Sequence, residues 1–231
     1  MIVGHDLGFV FVKTSKTAGT SLEIGLSKFL GPGDVISTMR PEDEEIRRSL
    51  GYRGPQNNMA PFWEYRPADV ARLVTRGERR ERFGSHTSAH DARRVLGKEK
   101  WENYFTFCFE RNPFERVISQ YYWWQGKGQG TASLEQFISR GSGLASLKGR
   151  GSGLYMEDGK MVVDQVYRYE DLDEALVDIA GRLKLPEPLT LPRSKSGTRT
   201  DRRPYQEVLT PAQQDRIRSV FAEELAMFGY A

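Results

Sequence analysis

The sequence predicts an α/β protein, a three-layer sandwich with a mainly parallel sheet. Two apolar, aromatic and β-branched runs carry that expectation: residues 9–12 (FVFV) and 105–109 (FTFCF) suit strands buried on both faces. Each run passes through a few polar residues into a segment whose apolar positions recur at helical spacing. Residues 161–169 begin a third such unit, and strands alternating with helices favour parallel pairing through right-handed crossovers. At 231 residues the chain is read as one domain, residues 1–231, large enough for a substantial core.

The first strand enters residues 13–21, KTSKTAGTS, and then a helix beginning near Thr20. That helix carries Leu22, Ile24, Leu26, Phe29 and Leu30 and is stopped by Gly31-Pro32. Residues 34–38 read as a short strand, and residues 39–63 as a long excursion with one helical turn near 42–50. Residues 67–74 read as a short helix. Thr87 or Ser88 caps the next helix, whose inner face is Ala89, Ala92, Val95 and Leu96 and whose end is Gly97. His86 therefore falls just before a helix start.

After the second strand, Asn112 and Pro113 supply an N-cap and a first-position proline. Phe114, Val117, Ile118, Tyr121 and Tyr122 follow at helical spacing. Nine glycines between residues 126 and 159 predict mobile loops around one short helix at 133–139. Asp158-Gly159 marks a hairpin between residues 154–156 and 161–169. A helix with Ala175, Leu176, Ile179 and Leu183 comes next, then a Pro- and Arg-bearing loop over residues 185–203. Thr210-Pro211-Ala212-Gln213 is a capping box for a final helix with Ile217, Val220, Phe221 and Leu225.

Composition narrows the function classes. A net charge of +3 gives no ground for general nucleic-acid affinity. Locally, residues 66–100 hold ten Lys/Arg against five Asp/Glu, and residues 184–203 six against two. Each run alone reads as a solvated face; with an anion site, the two could line a cleft for an anionic ligand. The single Cys108 cannot form an internal disulfide and reads as a buried core thiol. No stretch approaches the roughly 20 apolar residues of a membrane span, and the start of the chain has no basic leader. The expectation is a soluble, cytoplasmic protein.

The strand–turn–helix at residues 9–30 is a place to hold an anion. A helix N-terminus offers backbone N–H groups and a partial positive charge, and Lys16 adds a full one. The order of residues differs from a nucleotide-triphosphate P-loop, in which lysine follows the glycine. Here Lys16 precedes Gly19.

FVKTSKTAGTS resembles the 5′-phosphosulfate-binding loop of sulfotransferases that use 3′-phosphoadenosine 5′-phosphosulfate (PAPS). FCFERNPFERVISQYYW resembles the 3′-phosphate-binding segment of that family, in which an arginine is followed eight residues later by a serine. The likeness continues through GSHTSAHDARRVLG, VDQVYRYEDL and FAEELAMFGY, and is nearest to the family-2 carbohydrate, heparan 2-O-sulfotransferase-like type in a short bacterial form. Residues 31–82 and 125–160 match only loosely.

The resemblance implies the P-loop-nucleotide-hydrolase-like sulfotransferase fold, and it implies roles for single residues. Lys16 would contact the phosphosulfate and its bridging oxygen. The backbone of Thr17, Ala18, Gly19, Thr20 and Ser21, with the Thr20 and Ser21 hydroxyls, would cradle the same group. Arg111 and Ser119 would hold the 3′-phosphate, and Arg199, Arg202 and Arg203 would close over the nucleotide. His86 would be the general base. The acceptor would be a hydroxyl on a saccharide or glycoconjugate, and no metal is required by this logic.

Plainer readings stand beside these. Lys16 could be a surface lysine. Arg111 could form a structural ion pair with Glu110 or Glu115, Ser119 could bond to its own helix, and His86 could be a satisfied structural histidine. His86 and His90 form an H-x-x-x-H pair without an evident third metal ligand. Residues 121–124 (YYWW) read as core more readily than as a sugar platform, and Tyr169, Glu170 and Asp171 as shaping a turn. Glu42 or Glu64 is the alternative base. A non-catalytic nucleotide-binding module and a P-loop kinase or NTPase are the rival functions.

Overall fold

Alternation along the strands places the core. The computed structural model describes residues 1–126, 128, 132–192 and 201–230. Its main sheet has five strands in the order β3-β1-β2-β4-β7. They are β1 (Ile2–Gly4), β2 (Phe9–Phe11), β3 (Val35–Ile36), β4 (Phe105–Glu110) and β7 (Gln165–Arg168), with β5 (Met156–Glu157) and β6 (Lys160–Met161) forming a separate hairpin. β2 and β4 pair in parallel with Phe11 opposite Phe107, and β4 and β7 in parallel with Cys108 opposite Val166. β1 runs antiparallel to both of its neighbours. The sheet is therefore mixed, and the expectation of a mainly parallel one holds for every strand direction except that of β1.

Helices cover both faces, which makes the three layers. Phe9, Phe11, Phe107 and Phe109 point to α1 (Gly19–Ser27) and α9 (Leu172–Arg182), meeting Leu22, Leu26, Ala175 and Ile179. Val10, Val12 and Cys108 point the other way, to Ala89 and Ala92 of α4 (Ala89–Leu96) and Trp101 of α5 (Lys98–Asn103). Cys108 is fully buried and its thiol is pushed well up by that burial. Of the two expected candidates, Thr87 and Ser88, it is Ser88 that caps α4, accepting from the Asp91 N–H.

A third core lies beyond the sheet. α6 (Pro113–Gly126) contributes Phe114, Val117 and Ile118 to it. These pack on α7 (Leu134–Ser139), α8 (Ser142–Gly149) and α11 (Pro211–Val220), flanked by α10 (Tyr205–Val208) and α12 (Ala222–Phe228). Loops were expected across residues 140–153, and α8 stands there instead. Gly143 belongs to the packing: a Cβ on it would come within 2.5 Å of the Phe137 ring. The single final helix expected is two, broken at Phe221, and residues 161–169 divide between β6 and β7. The excursion after β3 carries α2 (Pro41–Ser49), a 3₁₀ turn at Phe62–Glu64 and α3 (Pro67–Arg76). Among the described residues no helix is long and apolar enough to cross a membrane.

Candidate anion-binding and transfer site

β2 and β4 are parallel neighbours, so the turns that follow them open at the same end of the sheet, the usual place for ligands in such folds. The first turn is shaped by its backbone. Lys16 and Ala18 both take left-handed conformations, with φ of 67° and 59°, and Ala18 is the N-cap of α1. Holding two non-glycine residues there costs about 1–2 kcal/mol each and has to be enforced by surroundings. The surroundings are visible. Thr17 is fully buried with its hydroxyl 2.8 Å from that of Thr14, which donates in turn to the Phe109 carbonyl. The Ser15 N–H donates to the Arg150 carbonyl at 2.8 Å. Gly19 allows the close approach, since a Cβ there would lie 2.7 Å from Lys13 Cγ. The turn thus sets Lys16 just ahead of the first N–H groups of α1, an arrangement that suits a tetrahedral anion. Thr20 is buried and Ser21 half-buried within it.

Beneath the cradle lies a buried ion cluster that sequence reasoning missed. Glu23, fully buried on α1, accepts from Lys13 Nζ at 2.5 Å, from the Met1 ammonium and from Ser37 Oγ at 2.8 Å. Burial pushes the Glu23 carboxyl up, but the Lys13 and Met1 charges outweigh it and hold the group at about 2. The one available signal was an acidic residue inside the otherwise apolar run SLEIGLS.

The second turn is built from side chains. Arg111 stacks over the Tyr169 ring at 4.5 Å and reaches the Lys16 carbonyl with Nη1 at 3.4 Å, joining the two turns. Its ion pair with Glu115 is long, 3.8 Å, and its backbone N–H donates to Glu110. The Glu110 side chain is taken by Arg116 and by Tyr155, whose hydroxyl donates at 2.8 Å. Asn112 caps α6 by accepting from the Phe114 N–H at 3.0 Å, and its own N–H donates to Glu170 at 2.9 Å. Tyr169 and Glu170, expected only to shape the turn after their own strand, thus also brace this one. Ser119 lies half-buried further along α6.

His86 sits between the cradle and a cleft. Its Nδ1 is 2.8 Å from the Lys13 carbonyl. Burial lowers its pKa to about 4; the bond to Lys13 opposes this, and the charges of Lys13, Arg150 and the Met1 ammonium add to it. The ring is therefore neutral near pH 7, and since a carbonyl only accepts, Nδ1 carries the proton and Nε2 keeps its lone pair. The cleft, about 730 Å³, is walled by Glu64, Arg66, Arg80, Glu81, Arg82 and Arg94 among others, with His86 and Thr87 at one side. Lys16 and Arg111 are not in its wall, so His86 is the residue common to cleft and cradle.

The remaining expected residues are more scattered. Arg202 and Arg203 are exposed, Arg203 pairing with Asp201 at 2.6 Å, and Arg199 lies outside the described residues. Glu64, the alternative base, lines the cleft but is paired with Arg82, and His90 is exposed and bonded to Glu157. In the YYWW run, Tyr121, Tyr122 and Trp124 join the third core while Trp123 instead meets the Lys16 ammonium.

No protein-family model matches the sequence. A protein of Archaeoglobus fulgidus whose name records no function is 29% identical over 98 residues, covering 42% of this chain and 82% of that one. Among solved structures, the crystal structure of a sulfotransferase from Alicyclobacillus acidocaldarius superposes with a TM-score of 0.44 at 15% identity, over 94% of this chain and 92% of that one.

Proposed function

We propose that this chain is a sulfotransferase that moves a sulfuryl group from PAPS to an acceptor hydroxyl, releasing adenosine 3′,5′-bisphosphate. The observation that carries the reading is the junction of two cationic turns on adjacent parallel strands, linked by the Arg111–Lys16 contact at 3.4 Å. Such a pair suits one ligand charged at two ends. Lys16 and the cradle of residues 17–21 hold the phosphosulfate, and Arg111 with Ser119 holds the 3′-phosphate. Arg199, Arg202 and Arg203 are the further arginines assigned to the nucleotide.

The acceptor oxygen forms its bond to sulfur as the bond from sulfur to the bridging oxygen breaks. His86 Nε2 takes the proton of the attacking hydroxyl, and Lys16 meets the charge that grows on the bridging oxygen. The polar cleft beside His86 supports a saccharide or glycoconjugate as acceptor.

The direct test is incubation of PAPS with a panel of saccharides and small alcohols; absence of both transfer and nucleotide binding would overturn the reading. His86→Ala should lower kcat by about 10²-fold with nucleotide affinity kept. The pH profile sharpens this. In the unliganded enzyme His86 protonates only near pH 4, so the acid limb of kcat/KM should lie there and not near 6.5. A bound anion offsets the Lys13 and Arg150 charges, so the limb in kcat should move to higher pH. Limbs coinciding near 6.5 would remove His86 as the base.

A further inference from the structure

Trp123 stands apart from its aromatic neighbours because two cations rest on it. The Lys16 ammonium is 5.3 Å from the indole centroid and the Arg40 guanidinium 4.6 Å. Arg40 comes from a different part of the chain, the N-cap of α2, where it makes no side-chain capping bond. The Glu42 carboxylate is 4.0 Å away, and a half-exposed pair that long contributes little. Two cations gathered on one ring repel each other. The π-electrons of the indole attract both cations, and an anion that reached both would be attracted by both.

We propose that Arg40 is a second cation for the tetrahedral anion held by the loop after β2, placed beside Lys16 by their shared contact with Trp123. On the proposed function, that anion is the sulfuryl end of the donor. Arg40 then shares with Lys16 the charge that develops as the sulfuryl group leaves, and Trp123 is a positioning residue for both. The anion site itself does not depend on the identity of the donor.

Arg40→Gln removes the charge without touching a capping bond, Arg40→Lys restores it, and Trp123→Phe keeps a ring while deleting the indole signal. Inorganic sulfate should change the indole emission of the wild-type protein, with the change lost in Trp123→Phe and requiring about tenfold more sulfate in Arg40→Gln. With PAPS, kcat should fall about 10- to 100-fold in Arg40→Gln and partly recover in Arg40→Lys. Affinity for adenosine 3′,5′-bisphosphate, which keeps the 5′-phosphate in the cradle but lacks the sulfuryl group that Arg40 meets, should stay within about threefold. Sulfate binding that depends on Arg40 without any nucleotide binding would uphold the cation pair and overturn the sulfotransferase reading. Arg40→Gln matching wild type in both the sulfate titration and turnover would overturn the proposal.

Discussion

The turn after β2 and the turn after β4 stand side by side and are built in opposite ways. The first is made of backbone, with Lys16 and Ala18 held at positive φ over a buried ion cluster. The second has no positive-φ residue and presents one long side chain, Arg111, braced by Tyr169 and a capped helix. A backbone cradle fits a compact anion closely and depends on what lies beneath it. A side-chain site depends on the residue itself and tolerates change nearby.

That contrast can be broken experimentally. The largest effect should come from Glu23→Gln, which leaves the buried Lys13 ammonium without its carboxylate and the Met1 amine, whose pKa burial already lowers to about 6, without its acceptor. We expect about 3–5 kcal/mol lost in denaturant unfolding at pH 7. Because the Glu23 pKa is held below its ordinary 4.5, at about 2, its stabilisation is present above 4.5 and lost as pH falls through 2. The gap between variant and wild type should close over that range; a gap that is small and independent of pH would mean the cradle does not rest on Glu23.

Next is Lys16→Ala, which should reduce kcat about 10²- to 10³-fold. Arg111→Ala should weaken nucleotide binding by about 1.5–3 kcal/mol while kcat at saturation changes little. If both variants lose kcat equally, the division into a transfer end and a binding end collapses. Ser119→Ala is the smallest change, about 1 kcal/mol in nucleotide affinity, read by calorimetry. No loss there would leave Arg111 to hold its end of the ligand alone.

Much of the fold was legible because its signals are local. The buried runs, the Ser88 and Asn112 caps and the Thr210 capping box depend on residues within about one helical turn of each other. β1 was not legible, since Ile2, Val3 and Gly4 are too short a run to show a period and its place comes from pairing with β2 and β3. α8 was hidden by its glycines, which elsewhere signal loops; here Gly143 makes room for Phe137.

The candidate site divides along the same line. From the sequence alone came a strand–turn–helix with Lys16 in the turn, a second with Arg111, and His86 just before a helix start. These follow from spacing and helix-end chemistry. Only the tertiary structure decided that Glu23 unites Lys13, Ser37 and the Met1 amine, that His86 is neutral with its proton on Nδ1, and that Arg40 shares Trp123 with Lys16. Those contacts join residues 10 to more than 100 positions apart, and burial sets their strength. Spacing along a chain does not encode burial, so these features emerge only when the layers close on one another.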